Sequence, residues 1–293
     1  MNILLFSPTY IKPDGSMAIH DETVSCINDL TIPDDVNVDV KISTNNPYQH
    51  SGVSRQDHEN TLYQYRHARK MTLDGGYDAV LFIEHDMIVP EDALIKMLYT
   101  KADVIYGLYL FRHVTPILNA CRAVRAKWPD QSLSFFPEIA QQANKQGWIE
   151  VSGAGFGCTL IHRRVLEKID MRRSDIGGHP SPDMPFAADC MRNNFKQIAR
   201  FDVKCGHIKP DGEILMPFEK GETDVTKAMK IYVFRTFNAN IDGHSVHYHE
   251  GETKDMPTEY IEDYMRAGYI SYVTEPAVKV VTKPVSKPRK AVK

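Results

Sequence analysis

The chain has 293 residues, 42% of them hydrophobic and 25% charged, which are ordinary proportions for a globular protein with a sizeable core. A formal charge of −3 gives no whole-chain attraction to nucleic acid or to an anionic membrane. Five scattered cysteines (26, 121, 158, 190 and 205) form no C-x-x-C pair; they read as reduced thiols and argue against a disulfide scaffold.

The N-terminus has no basic n-region, so Ile3 to Phe6 reads as a first strand rather than a signal peptide. That strand breaks at Ser7-Pro8-Thr9-Tyr10, a small polar loop of the kind that starts a nucleotide site in an α/β sheet. Val36 to Ile42 alternates as a half-buried second strand. Residues 55 to 73 read as a helix, with Leu62, Tyr65, Ala68 and Met71 at three-residue spacing and Gly75-Gly76 ending it. Asp78 to Ile83 is the most strand-like run in the chain and belongs in the sheet interior. It stops at Glu84-His85-Asp86, and Pro90-Glu91-Asp92 opens another helix. Val104 to Leu110 is a further strand. Trp148 to Val151 leads into the Gly-rich Ser152 to Gly157, followed by strand-like Cys158 to Ile161, helical Arg163 to Ile169 and a late strand over 198–205. Strands alternating with helices argue for a largely parallel α/β sheet.

After about residue 215 the pattern weakens. The expected organisation is a catalytic domain over 1–215, a C-terminal extension over 216–275 packed on it, and a disordered tail over 276–293. That tail holds six basic residues and no acid. Ile-Lys-Pro-Asp-Gly occurs at 11–15 and again at 208–212, which predicts two similar turns. No stretch reaches the ~20 apolar residues of a membrane span, so a cytoplasmic protein is expected.

Strand alternation would put Glu84 and Asp86 on one side of the chain and His85 on the other. Two converging carboxylates repel unless a cation sits between them, and a hard divalent ion resolves this. The bland reading is an acidic strand-to-helix cap.

The run Val80 to Pro90 resembles the acidic "Asp-x-Asp" segment of GT-A-fold glycosyltransferases, particularly the family 2-like enzymes. Three further segments resemble that family in the same order: Arg55 to Arg69, Val151 to Arg163, and Pro185 to Cys190 followed by Cys205-Gly206-His207-Ile208. The resemblance implies an α/β, Rossmann-like GT-A three-layer sandwich with a central, mostly parallel mixed sheet. It also implies transfer of a sugar from a nucleotide-diphosphate donor to an acceptor hydroxyl, with Mn²⁺ or Mg²⁺ as cofactor.

Residue by residue, the resemblance makes Asp86 the firmest metal ligand and His207 a further one. Glu84 stands where the family more often has Asp; its extra methylene lets it reach the metal through water, or the nucleotide ribose instead. Asp189 matches the general base of inverting members. This chain has Ala188-Asp189 where the family often has Glu-Asp, so Asp183 is a rival. Thr9 and Tyr10 match the base-and-ribose loop, with Tyr10 stacking on a pyrimidine. Arg55 would meet the diphosphate. Gly153, Gly155 and Gly157 would let a sugar approach the backbone, with tight packing as the bland alternative.

His247 and His249 could share a strand face as a second metal site, and Trp128, Phe135, Phe136 and Trp148 could form an acceptor platform. In both cases the plainer readings, an exposed polar strand and core packing, are favoured. The acceptor (carbohydrate, small molecule, protein or modified nucleic acid) and the oligomeric state are left open. The rival functions are a degenerate nucleotide-sugar or carbohydrate-binding protein, a glycosyltransferase acting on modified DNA bases, and a nucleotidyltransferase. The last is ranked low because Ser7 to Asp14 holds no Gly-rich, Lys-containing phosphate loop.

Overall fold

The computed structural model describes residues 1–48, 54–112, 118–123, 132–134, 147–173, 182–217, 228–233, 236–241, 244–257 and 270–272. The chain divides into two compact units, Met1–Thr223 and Asp224–Lys293.

In chain order, the first unit runs β1 (Asn2–Pro8), α1 (Asp21–Asn28), β2 (Asn37–Ser43), α2 (Ser54–Asp74), β3 (Ala79–Ile83), β4 (Met87–Ile88), α3 (Ala93–Leu98) and β5 (Val104–Leu108). It continues with β6 (Ala120–Ala123), β7 (Ser132–Ser134), β8 (Trp148–Glu150), β9 (Gly153–Ala154), β10 (Cys158–His162), α4 (Arg163–Leu166), α5 (Asp183–Arg192), β11 (Gln197–Lys204), β12 (Gly206–Ile208) and β13 (Ile214–Leu215).

A seven-stranded sheet in the order β2-β1-β3-β10-β5-β11-β8 forms the middle layer. Strands β1, β2, β3, β5 and β11 point one way, while β10 and β8 oppose them. The period-2 alternation of strand side chains splits the core in two. Leu4, Phe6, Val80 and Phe82 face the side covered by Leu62, Tyr65 and Ala68 of α2 and Phe186 of α5. Ile3, Leu5, Leu81 and Ile83 face Cys26 and Ile27 of α1 and Leu94 and Met97 of α3. The result is a three-layer α/β sandwich around a mixed, mostly parallel sheet, the architecture implied by the resemblance.

Every residue of β3 is fully buried, as an apolar run covered on both faces requires. The two Pro-Asp-Gly segments do form the same turn. Lys12 N–H donates to Ser16 and Gly15 N–H to Lys12, just as Lys209 donates to Glu213 and Gly212 to Lys209. The glycines sit at φ 86° and 87°, a left-handed conformation that strains any other residue.

In the second unit β14 (Ala228–Val233) pairs antiparallel with both β17 (Thr253–Pro257) and β18 (Ile270–Tyr272), and β15 (Phe237–Ile241) pairs with β16 (His244–Tyr248). Segment 276–293, Trp128, Phe135 and Phe136 lie outside the described residues. Among the described residues no helix is long and apolar enough to cross a membrane.

Candidate functional site

The parallel strands β2, β1 and β3 deliver their C-terminal ends to one edge of the sheet, where ligands of open α/β sheets bind. A cleft of ≈ 290 Å³ opens there, lined by Pro8, Thr9 and Tyr10 after β1, Asn46 after β2, and Glu84 and His85 after β3. Its remaining wall is Asp57, Asn60, Thr61 and Gln64, spaced i, i+3, i+4, i+7 so that they share one face of α2. Thr9 and Tyr10 thus stand in the cleft with Glu84. The Arg55 side chain lies outside the described residues.

Gln64 organises the cleft floor. Its amide nitrogen donates to the Ser43 carbonyl at 3.1 Å and to Asn46 Oδ1 at 2.9 Å, and approaches the Thr9 carbonyl at 3.5 Å. Those carbonyls can only accept, so the Gln64 oxygen must turn the other way. Gln64 Oε1 and Thr9 Oγ1 are buried without a hydrogen-bond partner among the described residues. Buried polar atoms of this kind are costly unless a ligand or water completes them.

The acidic triplet is a turn rather than the last pleat of a strand. Met87 N–H donates back to the Glu84 carbonyl at 3.1 Å, and alternation therefore ends at Ile83. His20 N–H and the Thr23 hydroxyl hold the His85 carbonyl, while Ile208 N–H holds that of Asp86. His85, expected to point away, lines the same cleft as Glu84 and brings Nε2 to 3.9 Å from Asp86 Oδ2.

Glu84 and Asp86 have different partners. Glu84 accepts a hydrogen bond from the Tyr65 hydroxyl. Burial raises its pKa, the Tyr65 hydrogen bond opposes that rise, and nearby Asp183 adds to it. Tyr65 is itself wedged between Phe82 at 4.8 Å and Phe156 at 5.0 Å, and burial followed by Glu84 keeps it protonated. Asp86 is 5% exposed and is paired with Arg112. His207 Nε2 stands 3.7 Å from the same Asp86 oxygen. Nδ1 of His207 lies 2.8 Å from the Leu110 carbonyl, an acceptor only, so the neutral ring carries its proton on Nδ1 and turns a lone pair from Nε2 towards Asp86. Burial lowers the His207 pKa and Arg112 lowers it further, against the opposing pull of the Leu110 bond and Glu84.

The three-ligand set Glu84, Asp86 and His207 is not assembled. Among the described residues no group of three or more His, Cys, Asp or Glu converges as a metal cluster, His247 and His249 included. The physical reason at the main site is that Tyr65 holds Glu84 on the cleft side. Asp86 and His207 do fit a divalent cation as a two-residue seat. They are facing lone-pair donors, and Asp86 Oδ1 is buried without a partner among the described residues.

The two candidate bases separate cleanly. Asp189 receives hydrogen bonds from Arg172 Nε at 2.6 Å, Arg172 Nη2 at 3.1 Å and Arg192 at 2.7 Å. Burial pushes its pKa up, but the two guanidiniums outweigh that and hold its carboxyl below the usual range. Asp183 instead acts electrostatically on Glu84, Tyr65 and Tyr109, and its Oδ2 lies 3.6 Å from where a Cβ on Gly155 would stand.

Gly153, Gly155 and Gly157 are all buried, and at Gly155 and Gly157 the bland reading fits. A Cβ on Gly155 would meet the Tyr109 hydroxyl at 2.2 Å, and one on Gly157 would meet the same ring at 2.7 Å. These glycines admit Tyr109, whose ring packs edge-on to His207 at 5.2 Å. Gly155→Ala should therefore destabilise the protein by about 1–3 kcal/mol in urea unfolding. Tyr109→Phe, which removes the clashing oxygen, should recover part of that loss in the double variant.

Tyr65 and Arg112 were not apparent from sequence. The helix spacing marks Tyr65 only as a core residue and no local pattern marks Arg112, whereas the i, i+3, i+4, i+7 spacing of polar residues 57, 60, 61 and 64 is a signal that could have revealed the cleft wall.

No family model matches the chain, and no curated protein matches it. Among solved structures it is similar to A197 from STIV, at 18% identity and TM-score 0.43 over 75% of this chain and 95% of that one. It is also similar to S. aureus TarS 1-349 (13% identity, TM-score 0.41) and to TarS 1-349 in complex with UDP (13%, TM-score 0.39). Those two alignments cover 69% of this chain and 58% of the TarS chain. The geometry of the chain itself gathers a polar cleft, the Asp86–His207–Arg112 cluster and Asp183 at one edge of an α/β sheet.

Proposed function

We propose that the chain is a glycosyltransferase that moves a sugar from a nucleotide-diphosphate donor to an acceptor hydroxyl. The observation that carries this reading is the cleft from Thr9 and Tyr10 to Glu84, with unpartnered Gln64 Oε1 and Thr9 Oγ1 on its floor. Such an edge suits a nucleobase, which offers N–H and C=O groups in one plane, and Tyr10 supplies an aromatic wall. The diphosphate then runs towards Arg112 and Asp86.

Asp86 and His207 are the residues that would hold a divalent cation, and the imidazole favours Mn²⁺ over Mg²⁺. Such an ion would neutralise charge on the departing diphosphate. Arg112 can fork onto phosphate oxygens in the same region. Asp183 takes the proton from the acceptor hydroxyl as its oxygen attacks the anomeric carbon from the face opposite the diphosphate, which inverts the centre. Tyr65 keeps Glu84 in place at the junction of cleft and acidic turn.

The test is calorimetric binding of UDP-, GDP-, ADP- and CDP-sugars with and without Mn²⁺. At least one should bind, more tightly with the metal. If none binds even with Mn²⁺ present, the reading is wrong.

A further inference from the structure

Arg112 supports an inference that rests on the glycosyltransferase reading and goes beyond it. Asp86 Oδ2 faces His207 Nε2 at 3.7 Å and His85 Nε2 at 3.9 Å. With Nδ1 of His207 committed to the Leu110 carbonyl, the neutral ring presents Nε2 to Oδ2 as a second acceptor. That arrangement is repulsive unless a positive charge lies with it. The guanidinium of Arg112 is that charge: it pairs with Oδ2 and is also attracted by Glu84.

The two partners differ in freedom. The Asp86 side chain is 7% exposed and its backbone is pinned by Ile208, whereas the Arg112 side chain is 34% exposed. Arg112 also lies only two residues beyond Leu110, on the segment that fixes the His207 tautomer. It can leave Oδ2 without unpacking either core layer, and Asp86 cannot.

We propose that Arg112 is an internal counter-ion that competes with divalent metal for the Asp86–His207 seat. Metal enters by displacing the guanidinium, and the displaced side chain is left beside the path of the donor diphosphate. The free chain then has a metal affinity reduced by the fraction of molecules in which Arg112 holds the seat.

The experiment is Mn²⁺ binding to the free protein, read by electron paramagnetic resonance, for wild type, Arg112→Met and Arg112→Lys. Arg112→Met should bind Mn²⁺ about tenfold more tightly, and Arg112→Lys by an intermediate factor, since an ammonium lacks the planar fork. Adding Asp86→Asn to Arg112→Met should remove the gain. Unchanged or weaker Mn²⁺ binding by Arg112→Met, or a gain that survives Asp86→Asn, overturns the proposal. If Arg112→Met does not fold by thermal melt, Arg112→Lys against wild type decides alone. A Mn²⁺ gain without any nucleotide-sugar binding would sink the glycosyltransferase reading and leave the competition standing; the converse would sink only the competition.

Discussion

Asp183→Asn is expected to abolish sugar transfer while leaving nucleotide-sugar binding intact, and Asp189→Asn is expected to spare both. The two acids sit six residues apart on α5, so they are about 9 Å apart along its axis and about a third of a turn apart around it. Asp183, in the first turn, faces the Gly155 side of the site, whereas Asp189 is saturated by Arg172 and Arg192. A carboxylate already accepting three charge-assisted hydrogen bonds has little basicity left for an acceptor hydroxyl. Loss of a general base typically lowers kcat by about 10²–10⁴. Single-turnover kinetics with the donor found by the calorimetric panel would read this directly. Asp189→Asn should instead cost about 1 kcal/mol of stability, a modest figure because Arg192 is mostly exposed. Full turnover in Asp183→Asn together with none in Asp189→Asn would reverse the assignment.

Asp86→Asn should separate function from stability in the opposite direction. Metal-assisted donor binding should fall by at least about 100-fold, since even partners of metal ligands are worth 10–100-fold. The melting temperature should hold steady or rise. Burying a carboxylate is expensive, Asp86 Oδ1 gains no hydrogen bond among the described residues, and the Arg112 end of the pair is partly open to water. A site residue that lowers stability is what ligand binding demands and folding alone would not select. A fall of several degrees with donor binding unchanged would make Asp86 a structural cap and remove it from the site.

Much of the sheet was legible because buried strands are locally encoded. Val80-Leu81-Phe82-Ile83 is apolar on both faces, and it became the fully buried β3. The helix over 55–73 was visible in the spacing of Leu62, Tyr65 and Ala68, all buried against the sheet. Other features depend on distant partners. The direction of β10 follows from its pairing with β3 and β5, which the residues Cys158 to Ile161 do not state. Helix α5 carries no clear sequence signal because Pro185 obscures it; Pro is tolerated in a first turn, where its missing N–H is not needed. Within the candidate site, Asp86 and His207 were expected from the order of their motifs and Thr9 and Tyr10 from the loop after the first strand. Arg112 and Tyr65 were not, because each acquires its role only when β5 and α2 are brought beside the acidic turn. The expected Glu84–Asp86 pairing misled for a related reason: alternation holds for pleated strand, and the chain leaves that geometry one residue before Glu84.

The position of β10 has a consequence for how the chain is made. Residues 158–162 fill the gap between β3 at 79–83 and β5 at 104–108, so those two apolar strands touch no common partner until β10 arrives. At about 5–20 residues per second, the ribosome leaves β3 with an unpaired edge for on the order of ten seconds. An open edge of Ala-Val-Leu-Phe-Ile is a template for pairing with another chain. Nascent chains stalled before Cys158 should therefore aggregate, whereas chains released past Lys204 should be able to close the sheet's centre by themselves.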